Sequence, residues 1–231
     1  MAAVDQALPE VEPLDHHFSF VPSHSVTAAA WATPDTREGG AVEALLFATV
    51  EMLAALVEAR DSYLGEHAAD VSRLSLQLAY AFGCDEQELR TIALAGRLHD
   101  LGKVAVPDAV LQKADLLTAS EWDVMRTHAT VGAEIVGRIP GLRPTADLIR
   151  AHHERWDGAG YPSNLAGDEI PLGARLLAVA DAYYAITTSR PYQSARDHDV
   201  AVAEIARCSG SQFDPAVVRA LQDLPVTRLL R

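Results

Sequence analysis

Residues 99–103 read His99-Asp100-Leu101-Gly102-Lys103, and an apolar stretch with helical spacing leads into them. An imidazole and a carboxylate stand side by side, a glycine turns the chain, and an ammonium group follows. Neutral imidazole with carboxylate is the ligand combination of divalent transition metals, whereas Mg²⁺ and Ca²⁺ prefer oxygen alone. The stretch therefore predicts a metal site at the end of a helix.

The sequence on both sides of this stretch has helical periodicity. Asp85 and Glu88 are spaced as a capping box for a helix that reaches Leu98, and Thr118 and Glu121 repeat that spacing. From residue 41 onward apolar residues recur at steps of three and four, with almost none of the alternation of strands. We expect one all-α helical bundle over residues 41–231, after an irregular lead-in over residues 1–40. The predicted helices span about residues 41–60, 63–82, 85–98, 118–135, 144–154, 173–188, 197–208 and 215–221.

The first predicted helix carries apolar residues around much of its circumference. One stripe is predicted on a single face: Leu45, Thr49, Met52, Leu53, Leu56 and Val57. Leu46, Phe47 and Val50 widen this stripe, so self-association into a homodimer through the helix is one candidate mode of regulation.

The composition excludes several classes of protein. The 231 residues include 19 basic and 32 acidic side chains, a net charge of −13, which argues against binding to polymeric nucleic acid because that binding neutralises phosphates with Lys and Arg. No apolar run approaches the roughly 20 residues of a membrane span, and the N-terminus does not resemble a secretion signal. Cys84 and Cys208 are isolated, which is typical of a reducing compartment. We therefore expect a cytoplasmic protein without a membrane span.

The nine histidines are an unusual feature of so acidic a chain. A single histidine on an apolar face is more often a core residue than a ligand, but several of them together with carboxylates indicate a metal site. Six histidines follow residue 60: His67, His99, His128, His152, His153 and His198.

Further motifs follow the opening stretch in a fixed order: His128 with Gly132, His152-His153-Glu154, Asp157-Gly158-Ala159-Gly160-Tyr161-Pro162, and Val179-Ala180-Asp181. Their order and spacing resemble the HD-GYP subgroup of the HD-domain metal-dependent phosphohydrolases, over about residues 41–220. The resemblance implies a phosphodiesterase that hydrolyses cyclic di-GMP to linear pGpG or on to GMP through a metal-bridging hydroxide.

The resemblance also implies the site residues. The expected metal ligands are His67, His99, Asp100, His128, His152, His153 and Asp181. They would hold two divalent transition-metal ions, Fe or Mn first, with Zn, Ni and Co also compatible. Asp100 is the expected bridging carboxylate. His152 and His153 are adjacent on a predicted helix, so they are expected to point about 100° apart and to serve different ions, or one ion and the leaving group.

Two motifs besides the ligands each allow a functional and a structural interpretation. Lys103 resembles the family's phosphate-contacting catalytic lysine, although a lysine here would also cap a helix C-terminus. In the family, the loop that contains Gly160, Tyr161 and Pro162 borders the active site and is thought to bind signalling partners; a purely structural turn is the alternative.

The sequence departs from the family pattern near the substrate. Tyr63 stands where some members supply a glutamate for a third metal, which favours two metals here. Tyr184 replaces an aspartate, and Gln193 replaces a basic residue after Arg190-Pro191-Tyr192. The predicted substrate contacts are Lys103, Arg190, Tyr184 and Gln193, and the loss of one basic contact weakens binding about 10- to 100-fold. Two alternatives follow: hydrolysis of another cyclic dinucleotide or nucleotide, and a weakly active or inactive signalling module that binds metal or ligand and partner proteins.

Overall fold

The structure is a computed structural model that describes residues 37–60, 67–188 and 196–225. Within these ranges it is helical and has no β-strand, apart from one bridge between Ser209 and Phe213. The α-helices are α1 (Arg37–Arg60), α2 (His67–Ala81), α3 (Glu86–Leu98), α4 (Asp108–Leu111), α5 (Ala119–Val136), α6 (Arg143–Ala151), α7 (Leu172–Thr187), α8 (His198–Arg207) and α9 (Pro215–Asp223). Short 3₁₀ helices span Leu101–Ala105 and Gly167–Glu169. The predicted all-α class is confirmed.

Both predicted capping boxes are present. The Asp85 carboxylate accepts a 2.9 Å hydrogen bond from the Glu88 amide, and the Glu88 carboxylate accepts one of 2.8 Å from the Asp85 amide. Thr118 and Glu121 form the same reciprocal pair before α5. These bonds satisfy amide groups that have no partner inside the helix, and so they fix where α3 and α5 begin.

The face of α1 differs from its prediction. Val50, Ala54 and Val57 are buried, whereas Leu45 and Met52 of the predicted stripe are 68% and 56% exposed. Leu56 is exposed as well, while Leu46 and Leu53 pack partly against the core. Val57 and Leu53 of the predicted stripe do face the core, so the stripe was correct only in part, because a helix that is apolar on several faces offers more than one stripe with the same period.

Helix α1 also begins earlier than predicted. Its first residue is Arg37, so residues 37–40 of the predicted lead-in belong to the helix. Residues 1–36, the remainder of that lead-in, lie outside the described residues.

The core lies between α2, α3 and α7 on one side and the α5–α6 pair on the other. Leu74 and Leu78 of α2, Ile149 of α6 and Leu176 of α7 are each at most 1% exposed. Burial of such side chains contributes about 1.5–3 kcal/mol each before the loss of chain entropy. This packing holds the ends of α3 and α6 close to the start of α2 and the middle of α7.

No helix among the described residues has the length and apolar character needed to cross a membrane.

Candidate metal centre

The seven predicted ligands lie together where these helices meet. His67 is the first residue of α2, His99 is the C-cap of α3, and His152 is the C-cap of α6. Asp100 follows α3, His128 lies on α5, His153 follows α6, and Asp181 lies on α7. The imidazoles form a continuous row, with centroid distances of 5.6 Å for His67–His99, 5.3 Å for His99–His152 and 5.4 Å for His128–His152.

Three of the imidazoles are held by the helix that carries them. Nδ1 of His99 lies 2.9 Å from the carbonyl oxygen of Gly96, three residues earlier. His128 and His152 repeat this contact with Met125 and Ile149, at 2.7 and 2.6 Å. A carbonyl oxygen only accepts, so Nδ1 carries a proton and Nε2 is the ring nitrogen left to bind a metal. This is how metal-binding histidines are oriented in general.

The ligand atoms divide into two groups. One group consists of His67, His99 and Asp100, and the other of His128, His152 and His153; within each, the donor atoms lie within 4.8 Å of one another. Asp181 adds a carboxylate oxygen 3.2 Å from His67 Nε2. Each group therefore offers at least three donors to one ion, as catalytic metal sites do.

Asp100, a member of the first group, also faces the second group. Its Oδ2 is 3.3 Å from His99 Nε2 in the first group, and its Oδ1 is 3.7 Å from His128 Nε2 in the second. A carboxylate with one oxygen on each side can join two ions, which is the role that the resemblance implied.

The arrangement of His152 and His153 differs from its prediction. Helix α6 ends at Ala151 rather than at residue 154, so the two histidines lie in the turn after the helix. Their rings are 4.0 Å apart and tilted by 41°, and both belong to the same group of donors. This grouping differs from the expectation that the two imidazoles serve different ions, or one ion and the leaving group, which assumed that the helix continues through both residues.

Burial and neighbouring charges strongly shift the pKa values of several ligands in the cluster. Burial, reinforced by the charge of His153, lowers the pKa of His152 well below its usual value. Burial and the neighbouring His128 likewise lower the pKa of His153 to about 4. Burial opposes ionisation of Asp100, but Lys103 and His99 outweigh it and hold the Asp100 pKa well below its usual range. At neutral pH His152 and His153 are therefore neutral and Asp100 is ionised, the states in which these groups bind metal.

His152 provides the test of whether these residues fit a metal. Its Nε2 is buried and has no hydrogen-bond partner among the described residues. A buried lone pair without a partner costs about 1–3 kcal/mol. Protonation does not relieve the cost because the pKa is lowered, so a cation at this place satisfies the atom. The donor set and this atom both fit a divalent transition metal.

His99 gives the site a predicted pH dependence. Burial lowers its pKa, but the charge and hydrogen bond of Asp100 outweigh burial and raise the pKa to about 9. In chelator-treated protein His99 is therefore protonated at pH 7, and metal binding must displace that proton. We expect His99 to release about one proton per chain, and metal affinity to rise between pH 6 and 9. Calorimetric titration in buffers of different ionisation enthalpy measures the release. An affinity that stays constant over this range would contradict the expectation.

Lys103 lies inside the site. Its Nζ donates a 2.8 Å hydrogen bond to Asp100 Oδ2, and its side chain is 17% exposed. Arg60 at the end of α1 holds the turn that carries Lys103, donating to the carbonyl oxygens of Val104 at 2.6 Å and Val106 at 3.1 Å. The position of Arg60 in the sequence gave no sign of this contact across 44 residues.

The loop with Gly160, Tyr161 and Pro162 borders the second group. The Tyr161 ring lies 4.9 Å from the His153 ring, and the Tyr161 amide donates to the His153 carbonyl oxygen at 3.2 Å. Glu154, which is 4% exposed, accepts from the amides of Ser163 at 2.6 Å and Leu165 at 3.1 Å. The residue after the two histidines thus fastens the loop to the site, a role that sequence reasoning missed.

Only some of the predicted substrate contacts lie among the residues that the structure describes. Tyr184 is 7% exposed and accepts a hydrogen bond from Arg73, so it has a clear role in the core, and its substrate contact stays a prediction. Arg190, Gln193 and Tyr63 lie outside the described residues.

Comparison with known proteins places this helical domain and its His/Asp cluster in a family. The sequence profile of the HD domain matches residues 51–217. A cyclic di-GMP phosphodiesterase of Thermotoga maritima is 39% identical over 184 residues, which are 79% of this chain and 50% of that protein. The 3'3'-cGAMP-specific phosphodiesterase 2 of Vibrio cholerae is 37% identical over 171 residues, 73% of this chain and 33% of that protein.

A solved structure shares the fold. Bd1817, an HDG"Y"P protein from Bdellovibrio bacteriovorus, matches with a TM-score of 0.57 at 19% identity, covering 85% of this chain and 67% of that one. The chain therefore belongs to the HD-domain family and to its HD-GYP subgroup, which confirms the resemblance. It spans about half or less of the length of the two curated relatives.

Proposed function

We propose that this chain is a metal-dependent phosphodiesterase that hydrolyses cyclic di-GMP to linear pGpG or GMP, with two divalent ions in the cluster. The observation that carries the proposal is the division of the donors into two groups, with Asp100 of the first group also facing His128 of the second. Fe and Mn are the proposed ions, because mixed imidazole and carboxylate donors suit both.

The residues of the site have distinct tasks in this reaction. Bound divalent ions supply positive charge for the phosphate and lower the pKa of a coordinated water. The histidines and Asp181 hold the ions, and Asp100 joins the two positions. Lys103 brings a compact positive charge next to Asp100, where it can hold a non-bridging phosphate oxygen. A small dianionic substrate is then attracted locally, although the net charge of the chain is −13.

A second candidate substrate is 3'3'-cGAMP. The relative from Vibrio cholerae at 37% identity is named for that activity. Both substrates are cyclic dinucleotides with the same kind of phosphodiester bond, so one metal centre suits either of them.

A substrate panel tests the proposed function. Protein purified without oxygen and supplied with Fe²⁺ or Mn²⁺ is incubated with cyclic di-GMP, 3'3'-cGAMP and cyclic di-AMP, and products are separated by chromatography. We expect cyclic di-GMP to be hydrolysed fastest and all hydrolysis to stop when a chelator removes the metal. Metal-loaded protein that leaves cyclic di-GMP intact for hours would overturn the proposal, and faster hydrolysis of 3'3'-cGAMP would favour the second candidate.

A further inference from the structure

An arginine and two aromatic rings border the second group of donors. Arg126 lies on α5, two residues before His128, and its guanidinium carbon is 5.5 Å from the centre of the Tyr161 ring. The same carbon is 5.9 Å from the centre of the Trp122 ring, one helical turn earlier. Tyr161 in turn lies against the ring of His153. Arg126 is thus two ring contacts away from the metal ligands.

The charge of Arg126 is not neutralised by a strong ion pair. Its only ion pair among the described residues is with Asp123, at 3.9 Å, and the two side chains are 53% and 78% exposed. An exposed pair at this distance contributes little. The Trp122 side chain beside it is also 45% exposed. A cation and an aromatic face are therefore both open to solvent at the edge of the site.

This combination fits a nucleobase better than a phosphate. The scissile phosphate belongs at the donor groups and Lys103, so the bases of a cyclic dinucleotide extend outward from there. A guanidinium held against an aromatic ring keeps its N–H edge free for two parallel hydrogen bonds. Guanine offers two acceptors, O6 and N7, to such an edge, and an exposed tryptophan ring offers a stacking surface.

We propose that Arg126, assisted by Trp122, binds a guanine base of the substrate and so contributes to substrate specificity. This inference rests on the proposed function and adds a recognition residue to it. The guanidinium of Arg126 donates two parallel hydrogen bonds, so a lysine with the same charge does not replace it.

Two substitutions test this role. Arg126→Met keeps an unbranched side chain over Tyr161 but removes the charge, and Arg126→Lys keeps the charge but removes the fork. We expect both to raise KM for cyclic di-GMP about 10- to 100-fold, with kcat much less affected. Methyl p-nitrophenyl phosphate, a phosphodiester without a base, should be hydrolysed within about twofold of the wild-type rate. Arg143→Met is the matched control, because Arg143 is 80% exposed at the far end of α6 from His152.

Each other outcome overturns the inference. A wild-type KM in Arg126→Lys would show that charge alone matters, as for a phosphate contact. An equal loss on both substrates would show that Arg126 supports the metal centre, and no loss would show that it does not contact the substrate. If the wild-type protein hydrolyses the base-free diester but no cyclic dinucleotide, the proposed function fails, and the Arg126 inference fails with it.

Discussion

Asp100→Asn is expected to lower kcat for cyclic di-GMP by about 1,000-fold, equivalent to about 4 kcal/mol of transition-state stabilisation. Asparagine has the shape of aspartate but lacks its charge, and only one of its two outer atoms can bind a metal. The two donor groups both face this carboxylate, at 3.3 Å on one side and 3.7 Å on the other. The substitution should also lower the metal content per chain.

The Asp100 variant is measured by steady-state kinetics and elemental analysis, with circular dichroism as the check of folding. Asp147→Asn is the control: Asp147 is 56% exposed on α6 and pairs with Arg143. We expect this control to keep wild-type activity and metal content. A folded Asp100→Asn protein with kcat within threefold of wild type would show that Asp100 does not join two catalytic ions.

Gly102→Ala is expected to destabilise the protein by about 3 kcal/mol and to lower kcat about 100-fold. A Cβ atom at Gly102 would lie 1.9 Å from the His128 carbonyl oxygen and 2.5 Å from the Gly132 amide nitrogen. Both are backbone atoms of α5, so they cannot rotate away. The turn that carries Asp100 and Lys103 must move away from His128, which separates the two donor groups.

Thermal denaturation and kinetics measure the effect of Gly102→Ala. For a chain of this size the expected fall in Tm is about 6–12 °C. Gly83→Ala is the control, because Gly83 has φ of +70° and open space around its Cβ position. It should cost only about 1 kcal/mol of strain and leave kcat unchanged. Equal losses of stability in the two variants would show that the close approach to α5 is unimportant.

The sequence predicted those parts of the fold that depend on local chemistry. Asp85 and Thr118 begin helices because their side chains satisfy nearby amides, and this spacing can be read directly. The ligands were predicted because their order along the chain resembles that of the HD-GYP subgroup. The buried face of α1 was not predictable from periodicity, because that helix is apolar on more than one side.

Contacts between distant segments left no readable pattern in the sequence. In the sequence, Gly102 indicates a turn. The structure shows that it must also lack a side chain, because its backbone lies directly against α5. Glu154 stands inside a quoted motif and Arg60 ends the first predicted helix, but their partners lie 9 to 11 and more than 40 residues away. The position of His153 depended on where α6 ends, which is the least certain feature of a helix pattern.

The metal content of the protein tests the central claim most directly. Protein purified without oxygen, supplied with Fe²⁺ or Mn²⁺ and freed of loosely bound ions is analysed for metal per chain. Two groups of donors joined by Asp100 predict about two ions per chain, bound together with the appearance of hydrolysis. Full hydrolysis of cyclic di-GMP by protein that holds less than one ion per chain would contradict a two-metal centre.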